Sequence, residues 1–392
     1  MARLRMVPML AGAAVLGLTL TACSTGSGNG SSSATGAEAA TATPAKACPS
    51  PTGMQPPGKA PQGDAPGGDA PSIPTATSVA KSDTSTSEVV TPDGPQIQCG
   101  ATEVKTYSDL TFSTPTTNGK KTELKLDVIV PRTAGKKPLV IYIPGGGFVM
   151  ADKDGSPELR TYIAEQNYVV AGIQYRTTMN GATYKDGTAD VKSAVRYLRA
   201  HAAEYDIDTD KVALWGESAG GYLAAMAGTT NGVKEFETGD NLEQSSDVQA
   251  VIDKFGASDL SKLGDDFDAK AKEENMAPGN ALAQFVYGPG TKKSVEDYTA
   301  EVKAADPATY VDGDDPPFAF FHGDDDRLVS PSQTLLLHNK LQKSGVDSTR
   351  YVISGAGHGD LAFMGDPKAG LPWTTQKVAG DMVSFLDKHL GN

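Results

Sequence analysis

Val212-Ala213-Leu214-Trp215-Gly216-Glu217-Ser218-Ala219-Gly220-Gly221 decides the reading of this chain. A short apolar run, compatible with a buried strand, passes into G-x-S-x-G and then into residues that suit a helix. Glycines at 216 and 220 leave room for a sharp strand-to-helix turn that lifts the Ser218 hydroxyl out of a sheet. The N–H groups at the start of the following helix would point at the same spot. Ser218 is therefore the candidate nucleophile, although the pentapeptide alone also fits a glycine-rich turn in any α/β protein.

What lies downstream separates these readings. Phe318-Ala319-Phe320-Phe321-His322-Gly323 reads as a buried strand that runs into Asp324-Asp325-Asp326. Tyr351-Val352-Ile353-Ser354-Gly355-Ala356-Gly357-His358-Gly359 reads as another strand, ending in a glycine-flanked histidine. Carboxylate and imidazole candidates thus lie just beyond strand C-termini, where open α/β sheets form their ligand crevice. A serine hydroxyl needs an imidazole to take its proton, and the imidazole needs a carboxylate to fix its tautomer. His358 is the candidate base, and the residues alone leave Asp324, Asp325 and Asp326 open as its partner. His201, His338 and His389 lie in helical or terminal contexts and are expected to serve packing or surface roles.

Upstream, Leu139-Val140-Ile141-Tyr142-Ile143 reads as a buried strand leading into Pro144-Gly145-Gly146-Gly147-Phe148. Glycines here let backbone N–H groups come close to a ligand. Gly145, Gly146 and Ala219, the residue after the nucleophile, are the candidate donors of an oxyanion hole.

From about Val104 to the C-terminus the chain resembles the α/β-hydrolase superfamily. Within it, the chain is similar to the BD-FAE-like group of carboxylesterases, related to feruloyl, acetylxylan and hormone-sensitive-lipase-type esterases. The resemblance rests on Asp190 to Leu198, Gly216 to Gly221, Asp315-Pro316-Pro317-Phe318, His322-Gly323 with Asp326, and Gly355 to Gly359. The chain order Ser, Asp, His is the order of that superfamily. Its H-G-x-x-D pattern implies Asp326 as the orienting carboxylate. It also implies a serine carboxylic-ester hydrolase that forms an acyl-enzyme on short-chain or carbohydrate-linked esters, with no cofactor; no metal is expected, because no regular ligand spacing surrounds Asp324, Asp325 and Asp326. Where relatives usually carry His before the three glycines, this chain has Pro144, which fixes φ and lacks an N–H. A peptidase of the prolyl-oligopeptidase-like branch and a non-catalytic surface binding protein on the same fold are the competing readings. The first lacks a preceding propeller-like repeat, and the second would not need all four parts of the site.

The N-terminus bears on location. Arg3 and Arg5 precede an apolar run from Met6 to Leu20, too short to span a bilayer as a helix and suited to a signal peptide over residues 1–22. Leu20-Thr21-Ala22-Cys23 resembles the lipobox of bacterial lipoproteins, which implies lipidation at Cys23 and anchoring on the extracytoplasmic face of the cell membrane. Residues 23–100 are rich in Ser, Thr, Gly, Ala and Pro, too poor in large apolar residues to offset their ordering entropy, and are expected to form a tether. As flexible coil it would reach roughly 45–50 Å. Of three cysteines, Cys48 and Cys99 remain as an even pair, expected to form a disulfide in an exported protein.

The remaining residues 101–392 fit one catalytic domain. Net charge is -13, which argues against nucleic-acid binding and leaves the lipid anchor as the sole expected membrane contact, with a small-molecule ester as the expected partner. Leu124, Leu126, Val128 and Val130 alternate, as in a half-exposed strand near a sheet edge. Tyr168 to Ile173 is continuously apolar, as in a central parallel strand, and Val191, Ala194, Val195 and Leu198 follow helical spacing. Strands and helices therefore alternate, and the expected architecture is a mostly parallel sheet covered on both faces by helices. Residues 256–310, following the strand pattern of Val248 to Phe255, lack a strand signal and are expected to form a small helical cap insertion.

Overall fold

The computed structural model describes residues 46–49, 75–359 and 368–391. The expected signal peptide, Cys23 and most of the expected tether lie outside the described residues.

Nine strands form the central sheet: β1 (Glu88–Val90), β2 (Val104–Ser113), β3 (Leu124–Pro131), β4 (Lys137–Ile143), β5 (Val169–Ile173), β6 (Ile207–Glu217), β7 (Ala250–Lys254), β8 (Phe318–Gly323) and β9 (Ser348–Ile353). Their spatial order is β1-β9-β8-β7-β6-β4-β5-β3-β2. Every pairing from β1 across to β5 is parallel, and β3 and β2 complete the far edge antiparallel.

Successive side chains of a strand face opposite sides, and β4 shows the consequence. Its Leu139, Ile141 and Ile143 join the core on one face, under α2 (Tyr184–Ala200), α3 (Ala219–Thr229) and α7 (Ser332–Lys343). Its Val140 and Tyr142 join the core on the other face, under α1 (Pro157–Glu165) and α8 (Gln376–Leu390). Burial on both faces is what the continuous apolar runs predict for a parallel sheet. Helix α2, which carries the helical spacing of Val191 to Leu198, starts at Tyr184 because Thr183 and Asp186 form a capping box, with the Thr183 N–H donating to Asp186 at 2.9 Å. Helix α3 is buried on all sides, which its Ala- and Gly-rich sequence permits at close approach to β6 and β7.

Three expectations change. The alternation in β3 predicts a half-exposed strand, whereas the strand is second from the edge and nearly all of it is buried. Asp127 is accommodated on its covered face because Lys153 meets its carboxylate at 2.9 Å and the Asp109 N–H donates to it at 2.7 Å. The run from Val169 to Ile173 lies, as β5, third from the edge of the sheet between parallel β4 and antiparallel β3, so only one of its two pairings is parallel.

The largest correction concerns the tether. Composition predicts disorder through residue 100, yet residues 75–100 are folded onto the domain, with Ala76, Val90, Ile97 and Cys99 buried. They supply edge strand β1, and their backbone bonds continue outside it: Ala76 N–H to Arg327 O, Ile97 N–H to Thr374 O, and Gln376 N–H to Pro95 O. Sparse apolar residues suffice here because the sheet edge provides unpaired backbone partners that composition does not register.

Residues 256–310 carry helices α4 (Ala269–Asn275), α5 (Ala281–Tyr287) and α6 (Ala300–Ala304), each started by a side-chain cap from Asp268, Asn280 or Thr299. Phe285 of α5 stacks on Phe148 at 4.2 Å, so the insertion buttresses the glycine loop.

Candidate active site

Strand β6 ends at Glu217 and α3 begins at Ala219, which leaves Ser218 alone at φ 56°, ψ -119°. A non-glycine residue in that region carries strain that the surrounding structure must hold. Ser218 N–H donates to Lys254 O at 2.9 Å, and Tyr222 N–H returns to Ser218 O at 3.0 Å. The glycines on either side are sterically required. A methyl on Gly216 would collide with the Gly220 carbonyl, and one on Gly220 with the carbonyls of Ile143 and Pro144.

Beneath the turn, Glu217 forms an ion pair with the buried Lys254 at 2.6 Å and accepts from Ser156 at 2.8 Å and Tyr142 at 3.2 Å. The Lys254 ammonium lies 5.2–5.6 Å from the ring centres of Trp373, Phe255 and Trp215. The motifs give this pair no role; its signal in the sequence is a lysine closing a mostly apolar strand, together with the acidic residue of G-x-S-x-G.

The three expected side chains meet. His358 Nε2 lies 2.8 Å from Ser218 Oγ, and His358 Nδ1 lies 2.7 Å from Asp326 Oδ2. Asp326 is fully buried; its Oδ1 accepts from the Leu328 and Val329 N–H groups at 2.9 and 3.0 Å, and its Oδ2 also lies 3.1 Å from His322 Nε2. Burial pushes this carboxyl up, but His358 and His322 outweigh it and hold the group far below the usual carboxylate range. Asp324 turns away to accept from Gly355 N–H at 2.6 Å, and Asp325 pairs with Arg327 at 3.1 Å on the surface. The Phe255 ring packs 4.7 Å from the His358 ring. His322, to which the motif by itself gives no role, thus touches the carboxylate directly.

The glycine loop reaches the same place. A methyl on Gly145 would stand 3.2 Å from Ser218 Cβ. Gly146, Gly147 and Phe148 have φ of 139°, 58° and 63°, a run that strongly favours glycine, and the Val149 and Met150 N–H groups close the turn on Gly146 O. Pro144 is anchored through its carbonyl, which accepts from Tyr175 Oη at 2.9 Å. Phe148 O accepts from both the N–H and the hydroxyl of Thr178, at 2.9 and 3.0 Å. Among the described residues, no acceptor is bonded to the N–H groups of Gly145, Gly146 or Ala219. A hydroxyl with an adjacent base, beside free backbone donors at a helix N-terminus, can attack a carbonyl and hold the resulting oxyanion.

The Cys48–Cys99 disulfide is present, with S–S 2.02 Å. The other histidines pack as expected: His201 bonds Tyr197 O at 2.8 Å, His338 is buried between Ser348 Oγ and Thr86 O, and His389 lies 3.7 Å from Asp347.

The BD-FAE family model matches residues 126–341, more than half of the chain, and that span contains Ser218, Asp326 and the glycine loop. The probable carboxylic ester hydrolase LipM of Mycobacterium tuberculosis is 32% identical over 200 residues, covering 51% of this chain and 43% of LipM. A probable isoprenylcysteine alpha-carbonyl methylesterase of Arabidopsis thaliana is 28% identical, covering 64% of this chain and 52% of its own length. The chain thus spans about half the length of the curated relatives it matches. Among solved structures, a truncated carbohydrate esterase from gut microbiota aligns with TM-score 0.59 and 26% identity over 74% of this chain and 97% of that one. Butyrate-bound esterase Est2 of Thermogutta terrifontis aligns with TM-score 0.54 and 26% identity, over 73% of this chain and 94% of that one. With motif, sheet order and matched span in agreement, the chain belongs to the BD-FAE family and has the α/β-hydrolase fold of the esterases it resembles.

Proposed function

We propose that this protein is a serine carboxylic-ester hydrolase that acts on small esters through an acyl-enzyme. The observation that carries this reading is the line of Ser218 Oγ, His358 and Asp326 at 2.8 and 2.7 Å, set beside the glycine loop. Ser218 attacks the ester carbonyl as His358 takes its proton, and Gly145, Gly146 and Ala219 receive the oxyanion. His358 then protonates the leaving alcohol, and water, activated by the same imidazole, releases the acid. Asp326 orients the imidazole and stays ionised throughout. Short acyl groups are the proposed substrates, supported by the likeness to a butyrate-bound esterase, with carbohydrate-linked esters next, supported by the carbohydrate esterase. Display on the outer membrane face through lipidated Cys23 completes the reading and rests on the lipobox-like sequence.

Turnover of p-nitrophenyl acetate and butyrate by the purified protein tests the activity. Ser218→Ala should lower kcat by roughly 10^4-fold or more, and a fluorophosphonate should label the wild type and not the variant. Absence of both turnover and labelling in the wild type would replace this reading with that of a binding protein.

A further inference from the structure

Asp326 is held by two histidines, and the reaction scheme uses only one of them. The second, His322, is fully buried on β8, and both of its ring nitrogens are engaged. Its Nε2 faces two oxygens that can only accept, Asp326 Oδ2 and Val329 O, each at 3.1 Å. That nitrogen must therefore carry a proton. Its Nδ1 lies 2.9 Å from Thr334 Oγ1, and Thr334 Oγ1 lies 3.0 Å from Arg350 Nε. A guanidinium only donates, so Arg350 occupies a lone pair of the threonine oxygen, and the hydroxyl proton has two acceptors within reach, His322 Nδ1 at 2.9 Å and Pro331 O at the longer 3.4 Å.

Resting on the reading in which Asp326 orients His358, we propose that His322 is a positioning residue, locked by a one-way hydrogen-bond chain from Arg350 through Thr334 into the Nε2–H tautomer that donates to Asp326. The chain begins at a group with no acceptor and ends at a group with no donor; at its one branch, Thr334, a neutral imidazole already protonated at Nε2 has a bare Nδ1 and draws the hydroxyl proton over the shorter contact, away from Pro331 O. The charged or titratable groups facing His322 among the described residues are Asp326, His358 and Arg350. Burial, with Arg350 and His358 acting in the same direction, outweighs Asp326 and depresses the His322 imidazole, which keeps it a neutral single donor. The start of the chain is fixed by the N-terminal segment together with Pro331. The remaining Arg350 N–H groups donate to Ser87 Oγ at 2.9 Å, Pro331 O at 2.8 Å, Ser82 Oγ at 3.4 Å and Asp83 O at 3.5 Å. Residues 82–87, outside the span matched by the family model, therefore help to orient the triad carboxylate from the far side of the sheet edge.

Nitrogen-15 NMR of the full chain labelled at histidine tests this directly, since there are only five histidines and His322→Gln assigns the signal. We expect His322 to show a protonated Nε2 and a bare Nδ1 from pH 5 to pH 9. A proton on Nδ1, or a ring that becomes cationic in that range, overturns the proposal. In kinetics, Thr334→Val should lower kcat about tenfold or more with little change in KM, and Thr334→Ser, which restores the hydroxyl, should recover most of it. Equal kcat values for the Val and Ser variants, whether both intact or both impaired, would also overturn it. If the Val variant fails to fold, the wild-type tautomer still decides. Ester turnover and Ser218 labelling in the wild type report separately on the hydrolase reading, so that its failure is distinguishable from failure of this one.

Discussion

Three aspartates follow one another after Gly323, and their surroundings alone tell them apart. Asp326 is enclosed and gathers two backbone N–H groups and two imidazoles, whereas Asp325 meets Arg327 at the surface and Asp324 supports the Gly355 turn. A buried carboxylate with that many donors keeps its charge and its orientation, which is what an imidazole base requires of it. Asp326→Ala should lower kcat roughly 10^3- to 10^4-fold. Asp324→Ala and Asp325→Ala should stay within about threefold of wild type, because neither touches His358 and an exposed ion pair contributes little. Steady-state kinetics of the three variants decides the matter, and comparable losses in all three would contradict this assignment. His322 lay within the same quoted motif, but its contact with Asp326 depends on the turn between them, which no spacing rule supplies.

At the scale of elements, the site exists because β4, β6, β8 and β9 all end at one rim and α3 presses against it. That pressure brings Gly221 and Gly256 onto the carboxyl of Asp253, which is 1% exposed and accepts a hydrogen bond from Gly256 N–H at 2.8 Å. Burial pushes its pKa from 3.8 up to about 8, with the Gly256 bond opposing only part of the effect. The unfolded chain releases this proton near its ordinary value and the folded chain holds it, so the native state binds more protons between the two values. Stability from this group is therefore full below the unfolded value and falls as pH rises toward about 8. Asp253→Asn, which cannot ionise, should raise the melting temperature relative to wild type by a margin that grows from pH 5 to pH 8. A margin that stays constant across thermal melts in that range would show that the carboxyl is already charged when folded. The buried strand run around Ala250 was legible as apolar sequence, while the environment of its one acid depended on which glycines the helix packing brought over it.

Across the whole molecule, the N-terminal segment ties together parts far apart in the chain. It supplies β1 to the edge at β9, accepts from Arg350 through Ser82, Asp83 and Ser87, meets His338 through Thr86 O, and joins residues 46–49 by the Cys48–Cys99 bridge. Closing that loop contributes at most about 4 kcal/mol on a loop-entropy model. Cys99→Ser should lower the melting midpoint by several degrees while kcat changes little, since Cys99 lies at α1 and makes no contact with the triad. A melting temperature equal to that of wild type would mean that the backbone pairing alone secures the segment. The amino-acid sequence by itself determined the alternating layers, the serine turn and the glycine loop, because periodicity, small residues and strand-end motifs are local properties. It also marked Cys48 and Cys99 as a pair. Only the tertiary structure decided that residues 75–100 fold, that Asp326 is the aspartate enclosed with His358, and that Tyr175 anchors the loop where Pro144 replaces histidine. Those outcomes depend on which unpaired backbone edges, hydroxyls and cations the packed sheet brings within hydrogen-bond reach, and such partners lie tens to hundreds of residues apart along the chain.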